Sequence, residues 1–307
     1  MGMLDVLHQC LAEKNRDRLA GRFPVTNWRE ELSREMELRA LEIETIELER
    51  ASIRERAQTA PSHPDDFIAW FEQLEKTGPG QYDVLFPWLA TTASLDEMRW
   101  FLHQEVAGEA GFEDLVALTQ LKLPDRPKLE LARNYWDEMG RGKAGGMHGP
   151  MLGRLAEKLE LAQLDAPIVW ESAALGNIMM GLAANRCYAY HSIGALGAIE
   201  LTAPSRARLV NEGLKRLAVV PEARHYFALH ATLDVKHSAA WNAEVLWPLV
   251  HDEPRAAVAI AEGALLRLQA GERCFVRYRR ELGVQSQPSR AISASPRVRS
   301  ASPMSLR

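Results

Sequence analysis

The chain has 307 residues, enough for one large domain with a sizeable core. Its 37 Lys and Arg against 41 Asp and Glu leave a net charge of −4, which supplies no general basic surface and sets nucleic acid aside as a partner. Three cysteines, Cys10, Cys187 and Cys274, lie far apart with no C-x-x-C pair, so a disulfide framework is not expected and a reducing cytoplasm fits.

The opening stretch "MGMLDVLHQCLAEKNRDRLAG" alternates apolar and charged residues, without the unbroken apolar run of a targeting signal. Gly2 is not followed by the Ser or Thr that lipidation requires. Residues 27–58, rich in Glu, Arg and Leu, predict a long, partly exposed helix laced with i,i+4 charge pairs, either a solvated packing helix or the arm of a homodimer. "APSHPDD" then interrupts the chain, with Ser62 or Asp65 expected to cap the helix containing "DFIAWFEQLEK". From Leu95, "SLDEMRWFLHQEVAGEAGFEDLVALTQ" is expected as one helix ending at "KLPDRP". "KLELARNYWDEMG" follows and ends in the glycine-rich "GRGKAGG", and another helix begins near His148. Further helices are expected over roughly 169–200, 204–218, 222–247 and 254–282, with Pro204, Pro221, Pro248 and Pro254 at their edges. "IMMGLAANRCYAYHSIGALGAI" is broken by Asn185, Arg186 and His191 and reads as a buried helix rather than a membrane span. No alternating strand pattern and no internal repeat is found, so the fold class is all-α. The tail over 284–307 is rich in Ser, Pro and Arg and is expected to be disordered.

Chemistry concentrates in "HYFALHATLDVKHSAAW", residues 225–241. At about 100° per residue, His230, Asp234 and His237 fall near 0°, 40° and −20°, inside a strip roughly 60° wide, while His225 points elsewhere at about −140°. The rest of this helix is largely apolar, which predicts an interior path. Buried Asp and His are costly unless paired with each other or bound to a cation, so the motif alone leaves both an internal ion pair and a metal site open. Carboxylates that could join it occur elsewhere. Glu138 ends a helix, and the glycine-rich turn after it lets His148 converge on it. Glu200 is a lone acid in an apolar run with Pro204 just beyond, and Glu105 and Glu109 share a helix face at i,i+4. Iron and manganese accept such mixed imidazole and carboxylate sets, and helical bundles draw the carboxylates from several helices at once. Phe112, Tyr135, Met179, Tyr190 and Phe227 are candidates to wall a pocket, His191 a candidate supporting donor, and His103 a surface residue.

The combination of "NYWDE" followed ten positions later by His148, Glu200 with Pro204, and the final His230, Asp234 and His237 resembles the haem-oxygenase-like di-iron oxidases and oxygenases, the iron-containing redox enzyme family, over roughly residues 95–250. The resemblance implies a haem-oxygenase-like helical bundle over 95–283, with 1–94 as a helical extension packed on it. It implies that Glu138, His148, Glu200, His230, Asp234 and His237 coordinate two Fe ions. A seventh carboxylate occurs in the N-oxygenating branch of that family. Glu109 is the choice here, because pairing antiparallel helices about a turn near 121–125 sets it opposite Glu138; Glu105 is the alternative. The implied activity is that of a non-haem di-iron oxidoreductase with O2 as co-substrate and an external electron donor. It would act on a small amino-acid-derived or fatty-acid-like molecule by N-oxygenation, desaturation or carbon–carbon cleavage. Two other readings stay open: a metal-free, thiaminase-like or cofactor-free enzyme of the same fold, for which Cys187 is the nearest nucleophile, and a non-enzymatic helical interaction protein working through residues 27–58. In the last case the candidate ligands should not converge.

Overall fold

A computed structural model describes residues 2–109 and 111–285. Among these, the chain forms α1 (Met3–Leu19), α2 (Trp28–Ala57), α3 (Pro64–Thr77), α4 (Leu85–Thr91), α5 (Leu95–Gly108), α6 (Phe112–Thr119) and α7 (Asp125–Glu138). These are followed by α8 (His148–Lys158), α9 (Trp170–Ala184), α10 (Ala189–Arg216), α11 (His225–Trp241), α12 (Trp247–Asp252) and α13 (Ala256–Glu281), with no strand among the described residues. None of these helices is long and apolar enough to cross a membrane. The tail expected over 284–307 lies, from residue 286 onward, outside the described residues.

Helix α10 is the axis of the bundle, packed on α13, α11, α4 and α9. Its approach to α13 depends on two glycines. A Cβ at Gly194 would stand 1.9 Å from the Ile260 carbonyl oxygen, and one at Gly263 would stand 1.8 Å from that of His191. Backbone therefore touches backbone, and no side chain fits between. A single apolar core runs from Ile46 and Ile53 of α2 through Phe67 and Phe71 of α3 and Phe101 of α5 to Leu265 and Tyr278 of α13. The first helices are tied to it by buried polar contacts. Glu42 of α2 accepts from Arg18 of α1 and from Asn185 after α9, and Glu262 of α13 accepts from Arg50 of α2 and His191 of α10.

Several expected boundaries shift, each for a local reason. The helix expected from 94 to 120 is two helices: Glu109 is extended and Gly111 adopts φ +75, so α5 stops at Gly108 and α6 starts afresh. The helix expected over 169–200 breaks at Asn185, whose side chain donates to the Gly181 carbonyl at 2.8 Å and to Glu42 at 2.7 Å, competing with helix continuation. Pro204 lies inside α10 and not at an edge. The helix runs through it, and only the Glu200 carbonyl loses the N–H it would have received. The segment expected as one helix over 222–247 passes from α11 into a π-helical turn, Asn242–Leu246, before α12. Neither Ser62 nor Asp65 caps α3; His63 holds the N-cap position without a side-chain bond, and Pro64 opens the helix, where its missing N–H costs nothing. Ser94 does cap α5, in a reciprocal box with Glu97. α11 does not run through the interior: Asp234, His237, Ser238 and Trp241 are its buried residues, while Val235 is 58% exposed.

The α10–α13 contact predicts that Gly263→Ala lowers unfolding free energy by at least about 2 kcal/mol, because nothing at the crossing can yield except backbone. Gly153→Ala, on the open face of α8 with nothing within 4 Å of its added methyl, raises stability by up to about 1 kcal/mol. Denaturant unfolding of the two variants checks both signs.

Candidate metal centre

The loop between α7 and α8 brings the first two donors together. Met139 and Met147 pair as an isolated antiparallel bridge, so the ends of the loop meet and Glu138 and His148 face each other directly across it. Gly140 makes this closure possible: its φ is +61, and a Cβ there would lie 2.3 Å from the Gly146 carbonyl carbon. The turn is thus a closed clasp. Glu138 Oε2 stands 2.5 Å from His148 Nδ1.

The other donors arrive from α10 and α11. His237 turns Nδ1 toward Glu200 Oε1 at 3.4 Å and Glu138 Oε1 at 3.9 Å. His230, about two turns earlier on the same strip, stacks edge to face on His148 with ring centres 4.7 Å apart. Donor atoms of Glu138, His148 and His230 lie within 4.8 Å of one another, and so do those of Glu138, Glu200 and His237. Glu138 belongs to both groups. Asp234 lies on the same strip of α11, buried, with Oδ1 lacking any partner. Glu138, His148, Glu200, Asp234 and His237 are each exposed by 3% or less. His148 Nδ1 and His237 Nδ1 face carboxylates without hydrogen-bond geometry, so buried donor atoms point at a common space instead of satisfying one another. This donor set, three carboxylates and three imidazoles around shared space, fits a pair of divalent transition-metal ions.

Three contributors were not evident in the sequence. Asp137 Oδ2 accepts from His237 Nε2 at 3.2 Å, fixing that ring with Nδ1 inward, and its other oxygen accepts from Arg141 Nε at 2.7 Å. One residue from Glu138, Asp137 is turned away by about 100°, and only the approach of α11 gives it a role. Asn134, fully buried four residues before Glu138, donates to Glu200 Oε1 at 2.6 Å; its i,i+4 relation to Glu138 was the available signal. Glu113, in the first turn of α6, places a carboxylate oxygen 2.5 Å from where a Cβ of Gly149 would be, beside His148. His230 is oriented by its own helix, with Nδ1–H donating to the Tyr226 carbonyl at 2.7 Å and Nε2 left free.

A cavity of about 180 Å³ adjoins these residues, lined among others by Glu105, Glu109, Phe112, Glu113, Glu138, His148, Glu200, Phe227, His230 and Asp234. Of the five expected wall residues, Phe112 and Phe227 line it; Met179 is core, and Tyr135 and Tyr190 lie elsewhere. Glu109 is not on a helix facing Glu138. It follows the end of α5 and opens into the cavity, outside both donor groups. His191 is turned away from this centre onto Glu262, at 2.8 Å. His103 is half-buried, its Nε2 3.1 Å from the Ala166 carbonyl oxygen, and His225 is exposed. No cysteine lines the cavity: Cys187 is exposed, and burial pushes the Cys274 thiol up to about 12.

Burial and then Glu200 push the Glu138 carboxyl up to about 9, and burial with Glu200 and Glu138 holds Asp234 well above the usual range. Burial lowers His148 and His230 to about 4, helped by the neighbouring imidazoles. Burial also works against protonated His237, but Glu200, Asp137 and Glu138 outweigh it and hold the ring up at about 9. Between about pH 4.5 and 6.5 the stability gained as His148 and His230 deprotonate opposes that lost as Glu138 and Asp234 are held neutral. Above about 6.5 the lowered imidazoles are neutral in both states and only losses remain, from Glu138, Asp234 and His237, as pH rises through about 9. Metal-free protein is therefore expected to lose thermal stability steadily from pH 6.5 to 9. Asp137→Asn should remove part of the His237 share and flatten that slope, which melting curves across pH and the histidine NMR titration will read.

A profile of the iron-containing redox enzyme family matches residues 99–272. No curated protein sequence matches the chain. Among solved structures, a CADD-like protein of unknown function from Nostoc punctiforme shares the fold. One of its crystal structures, at 2.00 Å, superposes with a TM-score of 0.54 at 21% identity, covering 69% of this chain and 95% of that one. A second, at 1.35 Å, gives 0.51 at 20% identity, covering 72% and 96%.

Proposed function

The chain belongs to the iron-containing redox enzyme family, and from that premise we propose that it is a non-haem di-iron oxidase or oxygenase that uses O2 to oxidise a small metabolite. The observation that carries this reading is the sharing of Glu138 between two donor groups, the arrangement expected of a carboxylate that bridges two ions. One ion would lie among Glu138, His148 and His230 and the other among Glu138, Glu200 and His237, with Asp234 Oδ1 joining the second. When bound, the irons supply the electrons that reduce O2 and the oxidising power passed to the substrate, an external electron donor restoring them afterwards. The chain's own residues position and exclude. Asp137 and the Tyr226 carbonyl hold the imidazoles with their metal-facing nitrogens inward, and Asn134 holds the Glu200 carboxylate by one oxygen. Phe112, Phe227 and Leu152 shed water from the space where substrate meets this centre. A seventh ligand would come from Glu109 or Glu113. The chemistry of the family's branches, N-oxygenation, desaturation or carbon–carbon cleavage, would then depend on which bond of the substrate is held toward Glu138. A cytoplasmic setting, in which the three free cysteines stay reduced, belongs to the same proposal.

Anaerobic titration with Fe(II) should saturate at about two ions per chain. Glu138→Ala should abolish both, because it serves both groups, whereas His148→Ala should retain one. Asp137→Asn, which leaves every proposed ligand in place, should weaken iron binding by roughly 10–100-fold. Saturation at zero in the unaltered protein, or loading of Glu138→Ala equal to it, refutes the assignment. Exposure of the loaded protein to O2 in an oxygen electrode then reads the redox activity.

A further inference from the structure

The cavity has a second polar wall, of opposite sign. Arg206 of α10 and Arg267 of α13 both line it, as does Glu105 of α5, which acts on both through charge without forming an ion pair with either. Arg267 forms no hydrogen bond or ion pair among the described residues, and its buried Nη1 is orphaned. Arg206 donates Nη2 to Thr202 Oγ1 at 2.7 Å and lies against the rings of Phe86 and Phe275, 5.9 and 5.4 Å from their centres, with no carboxylate at ion-pair distance. Comparable arginines elsewhere in the fold are paired: Arg18 with Glu42, Arg50 with Glu262, Arg273 with Glu49 and Arg277 with Glu171. A half-buried guanidinium without an anion is costly, and two lining one cavity more so. Burial lowers Arg206 to about 9, with Arg267 adding to it, and burial lowers Arg267 as well, the strain an arriving anion would relieve. Glu105 and Glu109 act on Arg267 through charge, yet no carboxylate among the described residues stands at ion-pair distance from either guanidinium. Arginine forks match the planar carboxylate group.

We propose that Arg206 and Arg267 are the recognition site for a carboxylate, and that the substrate is a small organic acid held there by its carboxylate while its remaining part extends past Phe101 and Ile199 toward Glu138. Calling that ligand the substrate rests on the di-iron reading; the anion site itself does not. The cavity, at about 180 Å³, is smaller than the roughly 300–1,000 Å³ of sites for drug-sized ligands, so a short acid of amino-acid size fits it and a long-chain fatty acid does not.

The test uses the full chain stripped of metal. Short straight-chain and phenyl-substituted carboxylates are each compared with their own primary amides by calorimetry and thermal shift. At least one acid should bind and raise the melting temperature, and its amide should bind roughly tenfold more weakly or worse. Arg267→Met and Arg206→Met should each erase the acid-over-amide preference, Arg267→Lys should restore part of it, and Arg277→Met, on the outer side of α13, should leave it unchanged. Binding of no acid, equal binding of acids and amides, or a preference surviving in Arg267→Met and Arg206→Met would overturn the proposal. Where an arginine variant does not fold, the acid–amide comparison on the unaltered chain still decides. Because no metal is present, failure of iron loading and failure of acid binding are independent results.

Discussion

The constraint on which the centre of this fold depends is a buried excess of carboxyl groups. Glu138, Glu200 and Asp234 are nearly inaccessible to water, and no lysine or arginine among the described residues pairs with any of them. Carboxylates in that position must take up protons or be neutralised by cations. His237 compensates only in part, and His148 and His230 stay neutral. Such an assembly lowers the stability of the chain, and the glycine crossing of α10 on α13 and the clasp at Met139 and Met147 hold it in place against that tendency.

The all-α class and the donors on α11 were legible because both follow from helical periodicity, which is local: three residues at i, i+4 and i+7 share a face whatever packs against it. The convergence of Glu138 with His148 was legible in outcome but not in cause. Glycines in "GRGKAGG" suggested a turn, while the backbone bridge that closes it, and the demand on Gly140, come from the meeting of two chain segments. The unbroken helix assumed to carry Glu109 past Glu138 ends at Gly108, because the left-handed Gly111 restarts the chain; Glu109 still lines the cavity with Glu138, and Glu113 takes the position beside His148. Asp137 and Asn134 stayed hidden for a different reason. Their partners, His237 and Glu200, are distant in sequence, and nothing in a single chain's pattern reports that α7 meets α10 and α11.

The buried polar groups divide into two kinds. Glu42 and Glu262 are surrounded by guanidinium, amide and imidazole donors that satisfy them, and they bind the first helices to the bundle. The Glu138 cluster and the Arg206–Arg267 pair face the same cavity and are satisfied only in part: His148 Nδ1, Asp234 Oδ1, His237 Nδ1 and Arg267 Nη1 have no hydrogen-bond partner. Groups of the first kind complete the fold by themselves. Those of the second kind keep polar atoms open toward the cavity.

The contact of Asp137 with Arg141 carries one more consequence. Arg141 has a side chain 69% exposed, whereas Asp137 is buried and leans on His237, which in turn faces Glu200 and Glu138. A mobile-ion atmosphere that screens the outer guanidinium thus weakens a restraint two links from the interior. Salt is accordingly expected to loosen the His237 ring from outside, through two successive hydrogen bonds and without entering the centre.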